Sequence, residues 1–535
     1  QYGPSLAVAD IDGNGLDHIL VGTPYLQDET YFLQQSNGTF IAKKLFSYAS
    51  KYDKIQEDMG PLIFDADNDG DNDIYLASGS SEFTEGYKGY QDRLFINDGK
   101  GNFTKDTTAL PQNLVSKSCV KAVDYDKDGD LDLFVGGRVI PGKYPQSVSS
   151  FIFRNDSKNG KAKFTDVTAS VAKGLLNVGL VCDAIWSDYD NDGWPDLILT
   201  GEWMPVTIFK NNHGSFQNVT ATSGLAGELG WWNSITAGDF DNDGDIDYIA
   251  GNLGANSYYR VDKEYPAHIY AADFDQNGSY DAIPTLFLPA IDGSRKEFPA
   301  FGRDDMTKQM ILMRGRFPKY RKYAMATIDF VLTPGMKKQA YTLTANNLQS
   351  CYINNLGNGK FELKPLPIQA QFAPLYGMVA EDVDGDGNLD VIINGNDFGT
   401  EVGTGRYDAL NGLILKGDGK GNFKPLTIQQ AGIYIPGDGK ALVALRSANN
   451  RYLLAASQNK STLKLFSAKS SSTVLSLLPN DLYAIITYKN GSKRRQEAYF
   501  GSSFLSQSAN LIITNSNMQS IEVTNDKNQK RQLKW

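Results

Sequence analysis

Apolar and polar positions alternate in short runs along most of the chain, and the runs come in pairs around an acidic loop. LAVAD precedes the first such loop and DHILVG closes it; PLIF and IYLAS flank the second. A period of two over a few residues predicts half-buried strands rather than helices. A second kind of pair follows most loops: YFLQQSNGTF (31–40), LFINDGKGNF (94–103), FIFRNDSKNGKAKF (151–164), VTIFKNNHGSF (206–216), CYINNLGNGKF (351–361) and LILKGDGKGNF (413–423). Their tips are rich in Gly and Asn, which supply the positive φ of tight hairpins. The order strand, acidic loop, strand, variable loop, hairpin predicts units of four antiparallel strands.

The loops themselves are DIDGNGLDH (10–18), DADNDGDND (65–73), DYDKDGDLD (124–132), DYDNDGWPD (188–196), DFDNDGDID (239–247), DFDQNGSYD (273–281) and DVDGDGNLD (382–390). Six of the seven fit D-x-D-x-[DN]-G-x-x-D. Carboxylates this dense repel one another unless a cation lies among them. Calcium suits the spacing: side chains at positions 1, 3, 5 and 9 and the carbonyl at 7 wrap one ion, with glycine at 6 for the sharp turn. Magnesium, which keeps several waters in a strict octahedron, fits less well. The assigned ligands are Asp65, Asp67, Asp69, Asp71 and Asp73; Asp124, Asp126, Asp128, Asp130 and Asp132; Asp188, Asp190, Asp192, Trp194 and Asp196; Asp239, Asp241, Asp243, Asp245 and Asp247; Asp273, Asp275, Asn277, Ser279 and Asp281; and Asp382, Asp384, Asp386, Asn388 and Asp390. In the first loop His18 takes the ninth place, so Asp10, Asp12, Asn14 and Asp17 make a weak site. The expectation is about six structural calcium ions, with the first loop as a poor seventh site. EF-hands are excluded, since loop position 12 is Leu76, Val135, Leu199 or Ala250 rather than glutamate. A solvated acidic turn explains one such loop but not a series of them.

The loops start 55, 59, 64, 51, 34 and 109 residues apart, a repeat of the size that marks propellers and solenoids. Four-stranded units closed radially leave few free sheet edges. The expected fold is therefore an all-β propeller, of eight blades or alternatively seven. Eight counts the seven loop pairs plus LVALRSANNRYLLAAS (442–457), a pair without an acidic loop. The long last interval holds a helical insertion (293–340), read as two helices with Tyr320, Tyr323, Ala324, Thr327 and Val331 on one face. Residues 1–470 form the propeller, and 471–535, with strands near DLYAIITYK, RRQEAYF, NLIITNS and SIEVTN, form a small β domain docked on it.

Net charge is −10, most of the acid lying in the loops, which argues against a nucleic-acid partner for the main body. The segment 295–338 carries eleven Lys or Arg against four acids, and KRR at 493–495 reads as a solvated hairpin face. No apolar run is long enough to span a membrane. Gln1 at the start suggests a trimmed or processed chain. Cys119, Cys182 and Cys351 show neither zinc nor disulfide-framework spacing and read as buried thiols.

DIDGNGLDHILVGTP resembles the FG-GAP repeat of integrin alpha chains, and the other loops resemble the related VCBS repeats. The tail, notably GSSFLSQS (501–508), resembles the ASPIC/UnbV domain. With GGRVIPGKYP (136–145), GEWMP (201–205) and the helical insertion, the chain is similar to surface-exposed or lipid-anchored proteins of Bacteroidetes, related in plan to cartilage acidic protein. That resemblance implies calcium-stabilised extracellular binding without an established reaction. It implies a cell-surface location associated with a Gram-negative outer membrane; an accessory role beside an outer-membrane nutrient transporter is a separate expectation, to be read from the chain's membrane neighbours.

The functional expectation is a non-catalytic scaffold engaging a protein or glycan through the end opposite the acidic loops. Aromatic and Arg-rich loops there supply the candidates Arg138, Tyr144, Trp203, Trp231, Trp232, Asn252, Arg406 and Tyr407, with Tyr25, Phe83, Lys143 and Phe398 beside them. Two alternatives stand. One is a polysaccharide lyase or glycoside hydrolase, for which paired carboxylates are abundant although no nucleophile motif appears. The other is nucleic-acid binding through the basic insert and tail.

Overall fold

The alternation becomes strand pairing at every acidic loop. The computed structural model describes residues 3–48, 50–401, 403–468 and 473–535, and is 41% strand and 10% helix. The protein is all-β. The expected boundary at 470/471 lies outside the described residues.

Six sheets repeat one plan, in which consecutive strands pair antiparallel and the acidic loop joins the first two. The first sheet is Leu6–Ala9, His18–Val21, Thr30–Gln34 and Phe40–Lys44. The second runs Asp58–Phe64, Asp73–Ser78, Arg93–Asn97 and Phe103–Asp106. The third (Ser116–Val123 to Phe164–Asp166) and fourth (Leu180–Ser187 to Phe216–Asn218) follow suit, the fourth gaining Gly230–Trp231 at its edge. The fifth takes Ser234–Gly238 and Asp247–Gly251, then Cys351–Asn355 and Phe361–Pro365. The sixth is Leu375–Glu381, Asp390–Gly395, Leu413–Gly417 and Phe423–Pro425. The seventh, Asp438–Arg446, Tyr452–Asn459 and Lys464–Ser467, has three strands.

The sixth acidic loop, 273–281, lies elsewhere. It joins Ala267–Ala272 to Asp281–Pro289 in a separate four-stranded sheet, with Arg295–Pro299 and Tyr341–Ala345, inserted whole between the second and third strands of the fifth. Counting it in series led to the expectation of eight units. The insert carries five short helices where two were expected: Arg303–Gln309, Met313–Arg316, Tyr320–Ala324, Ile328–Val331 and Pro334–Gln339. Thr327 starts a new helix rather than continuing the old one, so Tyr320 points outward while Tyr323 and Val331 enter the insert's core with Met306, Met310 and Phe317.

Buried side chains between sheets form the core. Leu20 and Ile63 join the first sheet to the second, Phe64 and Leu133 the second to the third, Phe134 and Leu197 the third to the fourth. Ile198 and Ile235, Ile249 and Val391, and Ile392 and Leu454 continue the series. Leu6 and Val8 pack on Val443 and Leu453, so the seventh sheet meets the first.

The C-terminal residues form the sheet Asp481–Tyr488, Lys493–Glu497, Met518–Asn525 and Lys530–Leu533 and the pair Val474–Ser476 with Leu511–Ile513. Residues 495–508 reach the first strand of every one of the seven sheets or the residue after it. Ser506 pairs parallel with Leu6, Gln507 exchanges two hydrogen bonds with the Ile63 backbone, and Phe500 bridges Ala122. Glu497 accepts from Ser187, Asp239 accepts from the Arg495 backbone, Ser503 Oγ accepts from Met378 N, and Ser506 Oγ from Leu442 N.

Candidate metal centres

Each acidic loop is held in shape by its own side chains. The first aspartate accepts from the backbone N–H of the sixth-position glycine: Gly70 to Asp65 at 2.9 Å, Gly129 to Asp124 at 3.0 Å, Gly193 to Asp188 at 3.1 Å and Gly387 to Asp382 at 3.0 Å. That turn puts the glycine at a φ of 95° in the second sheet and 100° in the third, a region open to glycine and costly for a Cβ-bearing residue. The ninth aspartate ties the loop to the sheet. Asp73 accepts from Ala66 N and Asn97 N, and Asp132 from Tyr125 N and Asn155 N.

The assigned ligands converge. Donor oxygens of Asp65, Asp67 and Asp73 lie within 4.8 Å of one another, as do those of Asp124, Asp126 and Asp132, of Asp188, Asp190 and Asp196, and of Asp239, Asp241 and Asp243. Inside them, carboxylate oxygens are buried without any hydrogen-bond partner: Oδ1 of Asp67, Asp126, Asp190 and Asp275 at the third position, Oδ1 of Asp188 and Asp239 at the first, and Oδ2 of Asp196 at the ninth. A buried anionic oxygen lacking a donor is expensive unless a cation faces it. A hard, oxygen-seeking ion of calcium's size fits these donors. Burial, then neighbouring carboxylates, push the ninth aspartates up: Asp73 and Asp390 to about 7, Asp247 to about 8, Asp132 and Asp196 to about 9. Without an ion, protons take its place.

In the first loop, where histidine takes the ninth position, the structure gives the reason the loop still folds. His18 Nδ1 accepts from Gln34 N at 3.0 Å, the bond that the ninth aspartate accepts elsewhere, and its Nε2 meets Asp12 Oδ1 at 2.9 Å. Asp17 turns away to accept from Arg446 N at 2.6 Å, linking the first and seventh sheets. Histidine thus keeps the architecture, and its ring still lies within 4.8 Å of the donor oxygens of Asp10 and Asp12. Two other loops carry ammonium groups. Lys210 pairs with Asp190 and, at 3.0 Å, with Asp192; Lys416 pairs with Asp384 and, at 3.0 Å, with Asp386.

Sequence reasoning missed the C-terminal contribution to these loops. Arg494 and Arg495 are buried rather than solvated, correcting the expectation for 493–495. Arg495 reaches Asp188 at 3.2 Å and also bonds Asn191, while Arg494 bonds the Gly387 carbonyl at 3.2 Å. Nothing local in KRR distinguishes such arginines from surface ones.

At the opposite end, the candidate ligand residues fall into two groups. Trp232 and Asn252 are fully buried; Asn252 donates to the Asn347 carbonyl and accepts from Trp231 N, a structural knot. Arg138 pairs with Glu202, Tyr144 donates to Glu202 at 2.9 Å, and the buried Trp203 indole donates to Tyr144 at 2.6 Å. Edge-to-face contacts then run from Trp203 to Trp231 at 4.9 Å and from Trp231 to Tyr259 at 4.8 Å. Tyr407 accepts from Tyr258 N, and Arg406 lies over the Phe398 ring. Tyr25, Phe83 and Tyr87 form a second aromatic patch beside the first two sheets, and Lys143 pairs with Glu85. Glu202, the hub of the first group, was not singled out from the sequence; isolated glutamates carry no signal.

No curated protein matches the chain. Among solved structures, the V. cholerae biofilm matrix protein Bap1 aligns over 95% of both chains at 12% identity and a TM-score of 0.35. The rhamnogalacturonan lyase YesW aligns over 94% of this chain and 72% of its own at 10% identity and 0.36. A Bacillus licheniformis rhamnogalacturonan lyase aligns over the same shares at 12% identity and 0.34. Likeness this slight does not bear on activity. A family model described as an FG-GAP-like repeat matches residues 65–135 and 188–250, so the second-to-third and fourth-to-fifth sheet segments, with their acidic loops, are similar to FG-GAP-like repeats.

Proposed function

We propose that this chain is a calcium-stabilised, non-catalytic binding scaffold whose seven sheets close into a seven-bladed propeller. The succession of inter-sheet cores, ending with Leu6 and Val8 on Val443, supports closure, as does a C-terminal segment touching the first strand, or the residue after it, of all seven. The observation that carries the calcium reading is the set of buried, donorless carboxylate oxygens at matching loop positions. Calcium then staples the first two strands of the second to sixth blades, and its binding energy adds to folding energy. Partly exposed loops of this kind suit the millimolar calcium outside cells, in keeping with a cell-surface protein at a Gram-negative outer membrane.

The ligand, a protein or glycan, is engaged at the end opposite the acidic loops. Tyr144, Trp231, Tyr259 and Tyr407 form a platform there, with Glu202 holding the Tyr144 hydroxyl. A nutrient transporter in the same membrane is the partner we favour, and 471–535 is read as the ASPIC/UnbV-like module. Elemental analysis and thermal melts with and without chelator test the metal. We expect several calcium ions per chain and a large drop in melting temperature on chelation; a metal-free protein with an unchanged melt overturns the reading. Titration against glycans and native co-purification with membrane proteins test the platform, and turnover of any polysaccharide overturns the non-catalytic assignment.

A further inference from the structure

The inserted unit has a surface unlike the rest. Seven of the twenty large apolar side chains exposed among the described residues fall between 288 and 330, a stretch of 43 residues in 535. Single exposed apolar residues are ordinary, but a concentration of them marks a contact surface. Within it, Ile311 is 62% exposed, Leu312 69%, Tyr320 64% and Met325 55%. Interleaved with them are Arg314, Lys319, Arg321 and Lys322, all exposed and none in an ion pair. Three other cations nearby are paired: Arg303 with Asp304, Lys308 with Asp305, Lys337 with Asp329.

The platform under this surface is rigid. Met313, Phe317 and Tyr323, in the same stretch, point inward and lock into the insert's core with Met306, Ile328 and Val331. Thus 311–325 alternates inward anchors with outward cations and apolar groups. Topology sets its orientation. The chain leaves the fifth sheet at Gly251 and returns at Cys351, so the insert emerges at the end of that sheet opposite the loop 239–247. The segment 295–338 carries +7 (eleven minus four), leaving −17 for the remainder of a chain of net charge −10.

We propose that the outer surface of residues 311–325 seats the protein on an anionic lipid bilayer. Charge complementarity draws residues 295–338 toward anionic headgroups and turns the acidic loops outside the insert away. The exposed Ile311, Leu312 and Met325 favour lipid over a hydrated polyanion such as RNA or an acidic polysaccharide, which offers aliphatic side chains nothing. Apolar groups flanked by Lys and Arg are the composition that settles at the headgroup boundary. The surface lies at the same end as the ligand platform, whose Trp231 and Tyr259 pack against the insert's Ala267, Ile269 and Ala345, but it is tested by a different readout.

Flotation of the whole chain with vesicles tests it, using phosphatidylcholine alone and phosphatidylcholine mixed with phosphatidylglycerol. Binding is expected to the mixed vesicles only, and to weaken with salt. Arg314→Gln, Lys319→Gln and Arg321→Gln together should lower partitioning about a hundredfold, and Ile311→Ser with Leu312→Ser should lower it severalfold. All five positions are exposed, so melting temperatures should match the parent. Absence of flotation at low salt overturns the proposal. So does binding that survives both sets, which means calcium-bridged adsorption through the acidic loops. Loss with the charge set alone, accompanied by equal binding of heparin or RNA, shows a general polyanion site and overturns it too.

Discussion

In the second to fifth sheets one asparagine joins each acidic loop to the preceding one. Asn97, Asn155, Asn211 and Asn355 end the third strand of successive sheets, and each backbone N–H donates to the ninth aspartate of its own loop. Their side-chain amides donate to the second-position carbonyl of the preceding loop, namely Ile11, Ala66, Tyr125 and Tyr189. The same amides also bond their own loop's eighth-position carbonyl, as Asn211 does with Pro195. Asn211→Ala strands two buried carbonyls and should cost about 2–4 kcal/mol, at 1–3 per unsatisfied group with partial rehydration. Urea unfolding would measure it. Asn211→Asp should cost more near neutral pH, because an ionised carboxylate faces two carbonyls and Asp196, and the gap between the two variants should narrow on acidification. His18 supports the opposite experiment. Since its Nδ1 already takes the aspartate's hydrogen bond from Gln34, His18→Asp should fold normally and restore a closing ligand. Elemental analysis should then show one more calcium per chain; an unchanged content means that the loop is closed to ions for another reason.

At the scale of the loop, protonation and metal compete. The ninth aspartates have folded-state affinities for protons raised by burial, to about 7 at Asp73 and about 9 at Asp132 and Asp196, against 3.8 when unfolded. Between those limits the ion-free folded chain binds more protons than the unfolded chain, so its stability falls as pH rises. The chelated protein should therefore melt at progressively lower temperature from about pH 5 to about pH 9. Calcium requires the ionised carboxylates, so its stabilising increment should grow over the same range. A chelated protein that gained stability with rising pH would contradict cage-like loops. These loops were legible in the sequence because every ligand lies within nine residues and spacing alone specifies the turn. The hairpins were legible for the same reason, their Gly and Asn tips being local. The helical insert was legible as helical but not as five pieces: its period survives across breaks at Phe317 and Thr327 that only three-dimensional packing reveals. Nor does spacing show that 267–345 is nested in the fifth sheet, since pairing of Tyr248 with Ile353 is a contact across a hundred residues.

For the molecule as a whole, the C-terminal segment decides what kind of object unfolds. A small domain docked on a ring would melt as a separate unit, or at least leave the ring intact. The observed contacts argue for one cooperative body. Gln507 donates to and accepts from the Ile63 backbone at 2.8 and 2.7 Å, both bonds buried, and Phe504 packs at a tilt against Tyr376 in the core shared by the first and seventh sheets. Lys121 Nζ, buried beside Asp183 at 2.9 Å, also donates to the Ser503 carbonyl at 2.8 Å, so the segment helps satisfy a charge belonging to the third and fourth sheets. Removing it would leave buried donors and acceptors unpaired in several sheets at once. Phe504→Ala should cost about 3–5 kcal/mol through the cavity it opens, and Gln507→Ala about 1–3 kcal/mol for each backbone group it leaves bare. Calorimetry should show one transition in the parent and one, shifted down, in each variant. Two transitions, with only the lower responding to Phe504→Ala, would mean that the ring stands without its C-terminal segment. A single shifted transition would mean that the seven sheets and residues 495–508 fold as one core, fastened by the chain's own C-terminal segment.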